Sequence, residues 1–150
     1  ISKTEEIGIN KSITLEILKP VLKIENIEFI DLQYSNTSME REKFYNENNI
    51  NIKTMKNIDN FNDLNGLSSL IDVCDFVITI SNTNAHIAGS LGKKTFLLLP
   101  KGKGRLWYWV SEKRRSVWYP KIEIVEQEEV GDWQTVIKQL QKKVKEYLIE

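Results

Sequence analysis

Ser81, Asn82, Thr83 and Asn84 place four short polar side chains in a row, directly after the apolar run FVITI at residues 76–80. Hydroxyls and amides in such a turn can bond phosphate or sugar oxygens. The residues that follow, AHIAGSLG, read as a short helix from Ala85 to Leu91, stopped by Gly92. A helix that starts at this turn offers unpaired backbone N–H groups and a partial positive charge, an anion site that needs no lysine. His86, on the first helical turn, could reach the same ligand. Ala88, Gly89 and Ser90 are small enough to let the helix lie close to a sheet. The same polar residues also suit plain helix capping, a role Ser, Thr and Asn commonly fill, and spacing leaves both readings open. His86 is the chain's single histidine. With no second histidine, cysteine pair or D-x-D pair beside it, no metal site is expected. There is no P-loop and no G-x-G-x-x-G, because Gly102 and Gly104 sit in a basic loop without the third glycine or the following helix.

The elements that must position this turn can be traced along the chain. Residues 1–13 read as a polar, irregular leader, and residues 14–150 as one domain. Leu15, Leu18, Val21 and Leu22 recur at helical spacing, with Thr14 placed to cap, Glu16 in the first turn, and Pro20 set to kink or shorten the helix. Residues 27–32 read as a short buried strand and residues 49–53 as an edge strand. Between them, Thr37 and Glu40 have capping-box spacing ahead of a polar helix. Leu64, Leu67, Leu70, Ile71 and Cys74 mark one apolar helix face. The runs at 76–80 and 95–99 are wholly apolar or nearly so, as strands buried on both faces are. A long loop at 100–120 precedes a strand at 122–125. Asp132 then caps a last helix with Trp133, Val136, Ile137, Leu140, Val144 and Leu148 on its apolar face. Alternating strands and helices around apolar strands predict an α/β, Rossmann-like doubly wound parallel sheet with helices on both faces. In such sheets ligands bind outside the carboxyl ends of the strands, which is where the 81–84 turn falls. A first strand ahead of the helix at 14–22 is missing from the pattern and is expected upstream of Ile1.

Composition narrows the classes. One domain with a real core suits 150 residues, of which 41% are hydrophobic and 28% charged. Twenty-one basic and 21 acidic residues cancel, which argues against a nucleic-acid binder driven by bulk charge and makes any phosphate site local. The single cysteine, Cys74, reads as buried filler, and a reducing, cytoplasmic setting fits. No apolar run approaches the ~20 residues of a membrane span. The polar start and the absence of an initiator methionine suggest a piece of a longer protein without a signal peptide.

The stretch SNTNAHIAGSLGKKTFLLLP at 81–100 has the order of a D-T-x-x-A-H turn, an L-A-G-A-L-G-K helix and a strand ending L-L-P. KSITLEILKPVL at 11–22, IEFIDLQ at 27–33, WYWVSEKRRSVWYP at 107–120 and VEQEEVGDW at 125–133 continue the match. In this the chain resembles the heptosyltransferase-type family of bacterial glycosyltransferases, especially members fused to tetratricopeptide repeats. The resemblance runs from about Lys11 onward. It implies the C-terminal, donor-binding half of a two-domain glycosyltransferase B fold. A nucleotide-diphosphate sugar would be the substrate, with no separate cofactor, and the partners would be an upstream acceptor domain and repeats of the same chain. By position, Thr83 with the Asn84 and Ala85 backbone would hold the diphosphate, His86 would touch phosphate or leaving group, and Gln33 would line the same cleft. Asn82 stands where many members carry aspartate, so a charged role there is lost. The catalytic base would come from the acceptor side, leaving this chain inactive alone.

Residues 101–115 interleave Lys101, Lys103, Arg105, Lys113, Arg114 and Arg115 with Trp107, Tyr108 and Trp109. Such a loop suits phosphate or sugar at a cleft edge, a single-strand nucleic-acid platform, or plain packing onto the sheet. Neutral charge counts against nucleic acid. Lys101, just past Leu99, is the best-placed phosphate contact, packing is expected of at least one tryptophan, and Trp118, Tyr119 and Pro120 read as a packed turn. Three functions follow for the whole: a donor domain of a sugar transferase, a degenerate transferase domain serving as a protein-interaction module, or another nucleotide-sugar enzyme such as an epimerase.

Overall fold

In the computed structural model, residues 5–109, 111–112 and 115–149 are described. Within the segment expected to be irregular, Glu5–Lys11 forms helix α1. Helix α2 (Leu15–Leu22) starts on Thr14, whose hydroxyl accepts from the Ile17 N–H at 3.4 Å, and it continues only two residues past Pro20. The freed Pro20 carbonyl accepts instead from Gln141 Nε2 at 2.8 Å. Strand β1 (Phe29–Ile30) pairs in parallel with β2 (Ile52–Lys53), Phe29 opposite Ile52. Both are shorter than the apolar pattern predicts.

Helix α3 (Ser38–Asn48) joins these strands and ends at Asn49, in the left-handed region at φ 55°. The capping box expected of Thr37 and Glu40 does not form. The Thr37 hydroxyl donates to the Asp31 carboxylate and its oxygen accepts from Arg41 Nε at 3.1 Å rather than from the helix N–H groups, while Asp31 also pairs with Arg41 Nε at 3.2 Å. Helix α4 (Leu64–Val73) is capped by Asp63, which accepts from the Gly66 N–H at 2.8 Å.

Strand β3 (Val77–Ile80), helix α5 (Thr83–Ser90) and strand β4 (Thr95–Leu99) follow, with Gly92 supplying the left-handed residue, φ 67°, between the last two. The loop expected across 100–120 contains a small hairpin, β5 (Ser111–Glu112) and β6 (Arg115–Ser116). Strand β7 (Ile122–Glu126) and helix α6 (Trp133–Tyr147) complete the order, Asp132 capping α6 through the Thr135 N–H at 3.0 Å.

The strands form two sheets, β1-β2 and β3-β4-β7-β6-β5. β3, β4 and β7 run parallel, while β6 pairs antiparallel with β7. Alternate residues of β4 feed opposite layers. Phe96 and Leu98 meet Val125, α6 and α2. Leu97 and Leu99 meet Ile122, Ile124, Ala85 and Trp109. A further cluster of Leu67, Ile71, Val77 and Ala88 locks α4 and α5 onto the second face. Each fully buried Leu or Ile is worth roughly 1.5–3 kcal/mol, against roughly 0–1 for the surface ion pairs, so these clusters carry the fold. The result is an α/β, Rossmann-like architecture of mostly parallel sheets covered on both faces by helices.

Candidate functional site

The turn at 81–84 lies where β3 gives way to α5, at the carboxyl end of the parallel strands. Asn82 has the extended backbone of an N-cap, and its Oδ1 accepts from the Ala85 N–H at 3.2 Å and lies 3.0 Å from the Thr79 hydroxyl. The capping reading therefore applies to Asn82. It leaves Thr83 and Asn84 as the first helical residues, whose N–H groups have no intrahelical acceptor by position. The Thr83 side chain is exposed, and Asn84 Nδ2 donates to the Leu32 carbonyl at 3.0 Å. Ala85 is fully buried and its N–H already donates to Asn82, so the free N–H groups of the turn are those of Thr83 and Asn84.

Ser81 is buried and bonded from two sides. Its hydroxyl accepts from Trp109 Nε1 at 2.8 Å, and its carbonyl accepts from Lys11 Nζ at 2.9 Å. Trp109 is the tryptophan that packs the basic loop onto the sheet, whereas Trp107 and Trp118 are exposed. The packed turn expected of Trp118, Tyr119 and Pro120 holds for Tyr119 alone. Trp118 lies outside, its indole donating to the Tyr108 carbonyl at 2.8 Å.

His86 stacks on Trp109, with ring centroids 4.9 Å apart and an interplanar angle of 24°. Its Nδ1 lies 3.1 Å from the Tyr119 hydroxyl. When that hydroxyl donates, the ring proton sits on Nε2, which is then the imidazole's donor. Tyr119 is held in turn by Gly89, where an added Cβ would come within 2.5 Å of the ring. Imidazole, indole and phenol thus form one wall beside the α5 start.

Gln33 stands beyond β1 on the rim of the same slot as Asn82 and Asn84. Its N–H donates to Asp31 Oδ1 at 2.9 Å, and its carbonyl accepts from Asn60 Nδ2 at 3.1 Å. Lys101 is elsewhere, as its ammonium donates to the Glu128 carbonyl and its N–H to Gln127 Oε1 at 3.1 Å. Arg105 is engaged by Glu126 at 3.2 Å. Lys113 and Arg114 lie outside the described residues. Among the described residues no group of three His, Cys, Asp or Glu side chains is placed to hold a metal ion. No helix among them is long and apolar enough to cross a membrane.

Two participants carry no clear signal in the sequence: Lys11, 70 positions from Ser81, and Tyr119, for which the W-Y-P turn is the one available sign.

Fold and turn together define an α/β domain with an N-capped helix start at the carboxyl end of its sheet. Over 116 residues the chain is 26% identical to Protein FlbA of Caulobacter vibrioides, an alignment that covers 77% of this chain. It covers 19% of that protein, so the chain spans about a fifth of its relative's length. No family profile matches the chain, and no solved structure matches it.

Proposed function

We propose that this chain is the nucleotide-sugar donor domain of a glycosyltransferase that passes a sugar to an acceptor hydroxyl. The observation that carries the reading is the start of α5, where the N–H groups of Thr83 and Asn84 emerge beside the Thr83 hydroxyl and His86 at the sheet's carboxyl end. A diphosphate there meets the positive end of a helix, and Gln33 on the facing rim supplies a further amide. As the sugar–phosphate bond breaks, charge grows on the departing diphosphate, where fixed N–H groups are worth most. The catalytic base belongs to an acceptor domain elsewhere in the polypeptide, and tetratricopeptide repeats are proposed as further neighbours. The resemblance at residues 81–100 supports the reaction class.

A second reading, a non-catalytic interaction module, is favoured by Asn82. Its amide oxygen is used as a cap, and it offers no carboxylate.

Titration of the domain with UDP, GDP, ADP and CDP and their sugar conjugates, followed by amide chemical shifts, separates the two. The donor reading expects shifts at 81–87, with Thr83→Ala weakening binding about fivefold, as loss of one hydrogen bond of ~1 kcal/mol gives. Silence from the intact polypeptide at millimolar ligand would leave the interaction module standing.

A further inference from the structure

Tyr119 lies along α5 and meets it at two points. Its ring packs on Gly89, where a single added Cβ would stand 2.5 Å from Cγ. Its hydroxyl reaches His86 Nδ1 at 3.1 Å, and His86 sits three residues before Gly89, so both contacts fall on one helix face. The Tyr119 backbone is fixed as well. Its N–H donates to the buried Ser116 hydroxyl at 3.3 Å, and its carbonyl accepts from the Ile122 N–H at 2.9 Å, at the start of β7. The imidazole is covered on its face by the fully buried Trp109 and met at Nδ1 by the phenol, whose ring is inclined to it at 72°. Turning the imidazole over would put a carbon where Nδ1 stands and lose the bond to Tyr119. Packing accounts for the ring of Tyr119 but not for its hydroxyl, which among the described residues has Nδ1 as its one hydrogen-bond partner.

We infer that Tyr119 is a positioning residue for His86, its phenol donating to Nδ1 and so keeping the proton of the neutral imidazole on Nε2. Of the two groups the phenol is the stronger acid and the imidazole the stronger base, which sets the direction of the bond. The reverse direction, with Nδ1 donating to the phenol oxygen, would leave the phenol proton without an acceptor among the described residues and Nε2 as a bare lone pair. What this means for a ligand rests on the donor reading. A diphosphate oxygen only accepts, so a ring protonated on Nε2 can donate to it, whereas the other tautomer sets a lone pair against it at that atom. Tyr119 achieves this without touching the ligand. It gives the start of α5 one more donor, beside the N–H groups of Thr83 and Asn84, by holding a proton in place and not by adding charge.

The test uses the intact polypeptide labelled with nitrogen-15 in its histidine rings, the His86 signals being assigned by their loss in His86→Gln. Above the pH range in which histidine titrates, long-range proton–nitrogen spectra separate a ring nitrogen that carries a proton from one that does not. His86 is expected to show a bare Nδ1 and a protonated Nε2. In Tyr119→Phe, which keeps the ring on Gly89 and removes only the phenol hydroxyl, the two nitrogen signals are expected to shift toward each other as the tautomers mix. A protonated Nδ1 in the unaltered protein would overturn the proposal, and that arm needs no variant to fold. Nitrogen signals that stay in place in Tyr119→Phe would overturn it too, since they would mark Tyr119 as packing alone. No ligand enters the experiment, so its outcome stands apart from the donor reading, which the nucleotide titration tests separately.

Discussion

Gly89 shows how a single missing methyl group sets the wall of the candidate site. Alanine in an exposed helix interior gains ~1 kcal/mol over glycine. At Gly89 that methyl would stand 2.5 Å from the Tyr119 ring, which must move and take its hydroxyl from His86. Overpacking of this kind costs about 1–3 kcal/mol, so the clash wins and Gly89→Ala is expected to lower the urea midpoint rather than raise it. Trp109→Phe isolates a different contact. It keeps most of the ring but leaves the buried Ser81 hydroxyl without its indole donor, at a cost of about 1–3 kcal/mol in equilibrium unfolding. Cys74 is only half buried, not core filler, and its thiol donates to the Leu70 carbonyl at 3.2 Å. Burial pushes that thiol up from its ordinary value, so alkylation at neutral pH should run slower than for free cysteine.

At the scale of elements, Glu123 ties β7 to its neighbours. Its carboxylate bonds Lys94 of the segment entering β4 at 2.7 Å and Lys143 of α6. Burial alone would raise this carboxyl, but the hydrogen bonds and charges of Lys143 and Lys94 outweigh it and hold it below the ordinary glutamate range. A group lowered on folding stabilises above its unfolded value and loses that contribution as pH falls through the folded one. Urea midpoints measured from pH 7 down to 3 should therefore drop in the acid range. Glu123→Gln should be less stable at pH 7, with a shallower acid drop. The caps were the most legible elements, because Thr14, Asn82 and Asp132 bond an N–H three residues on, a purely local event. Thr37 obeyed the same spacing and failed, since its oxygen accepts from Arg41 Nε at 3.1 Å while its proton goes to Asp31, six positions back. The hairpin at 111–116 was invisible because strands of two polar residues carry no alternation to detect.

For the whole molecule, β4 is the member every layer shares. Phe96 touches the α2 and α6 layer and lies edge-on to Phe76 at 6.0 Å. Phe96→Ala is expected to cost about 3–5 kcal/mol, a large share of a marginal total, and to leave the domain unfolded near 37 °C by circular dichroism. Architecture was readable because buried strands announce themselves by continuous apolar runs. The tertiary pairs that build the site were not, since Lys11 to Ser81 and His86 to Tyr119 join residues 70 and 33 positions apart with no shared period.

Trp109 is fully buried against His86, Trp107 and Trp118 face water, and Trp133 lies in the α6 core. Buried indoles emit toward the blue and exposed ones toward the red, and an imidazole stacked on an indole alters its yield. The chain thus contains its own optical gauge. Anything that settles against His86 should change the blue edge of the emission while leaving the red edge as it was, which lets occupancy of the turn be read without a label.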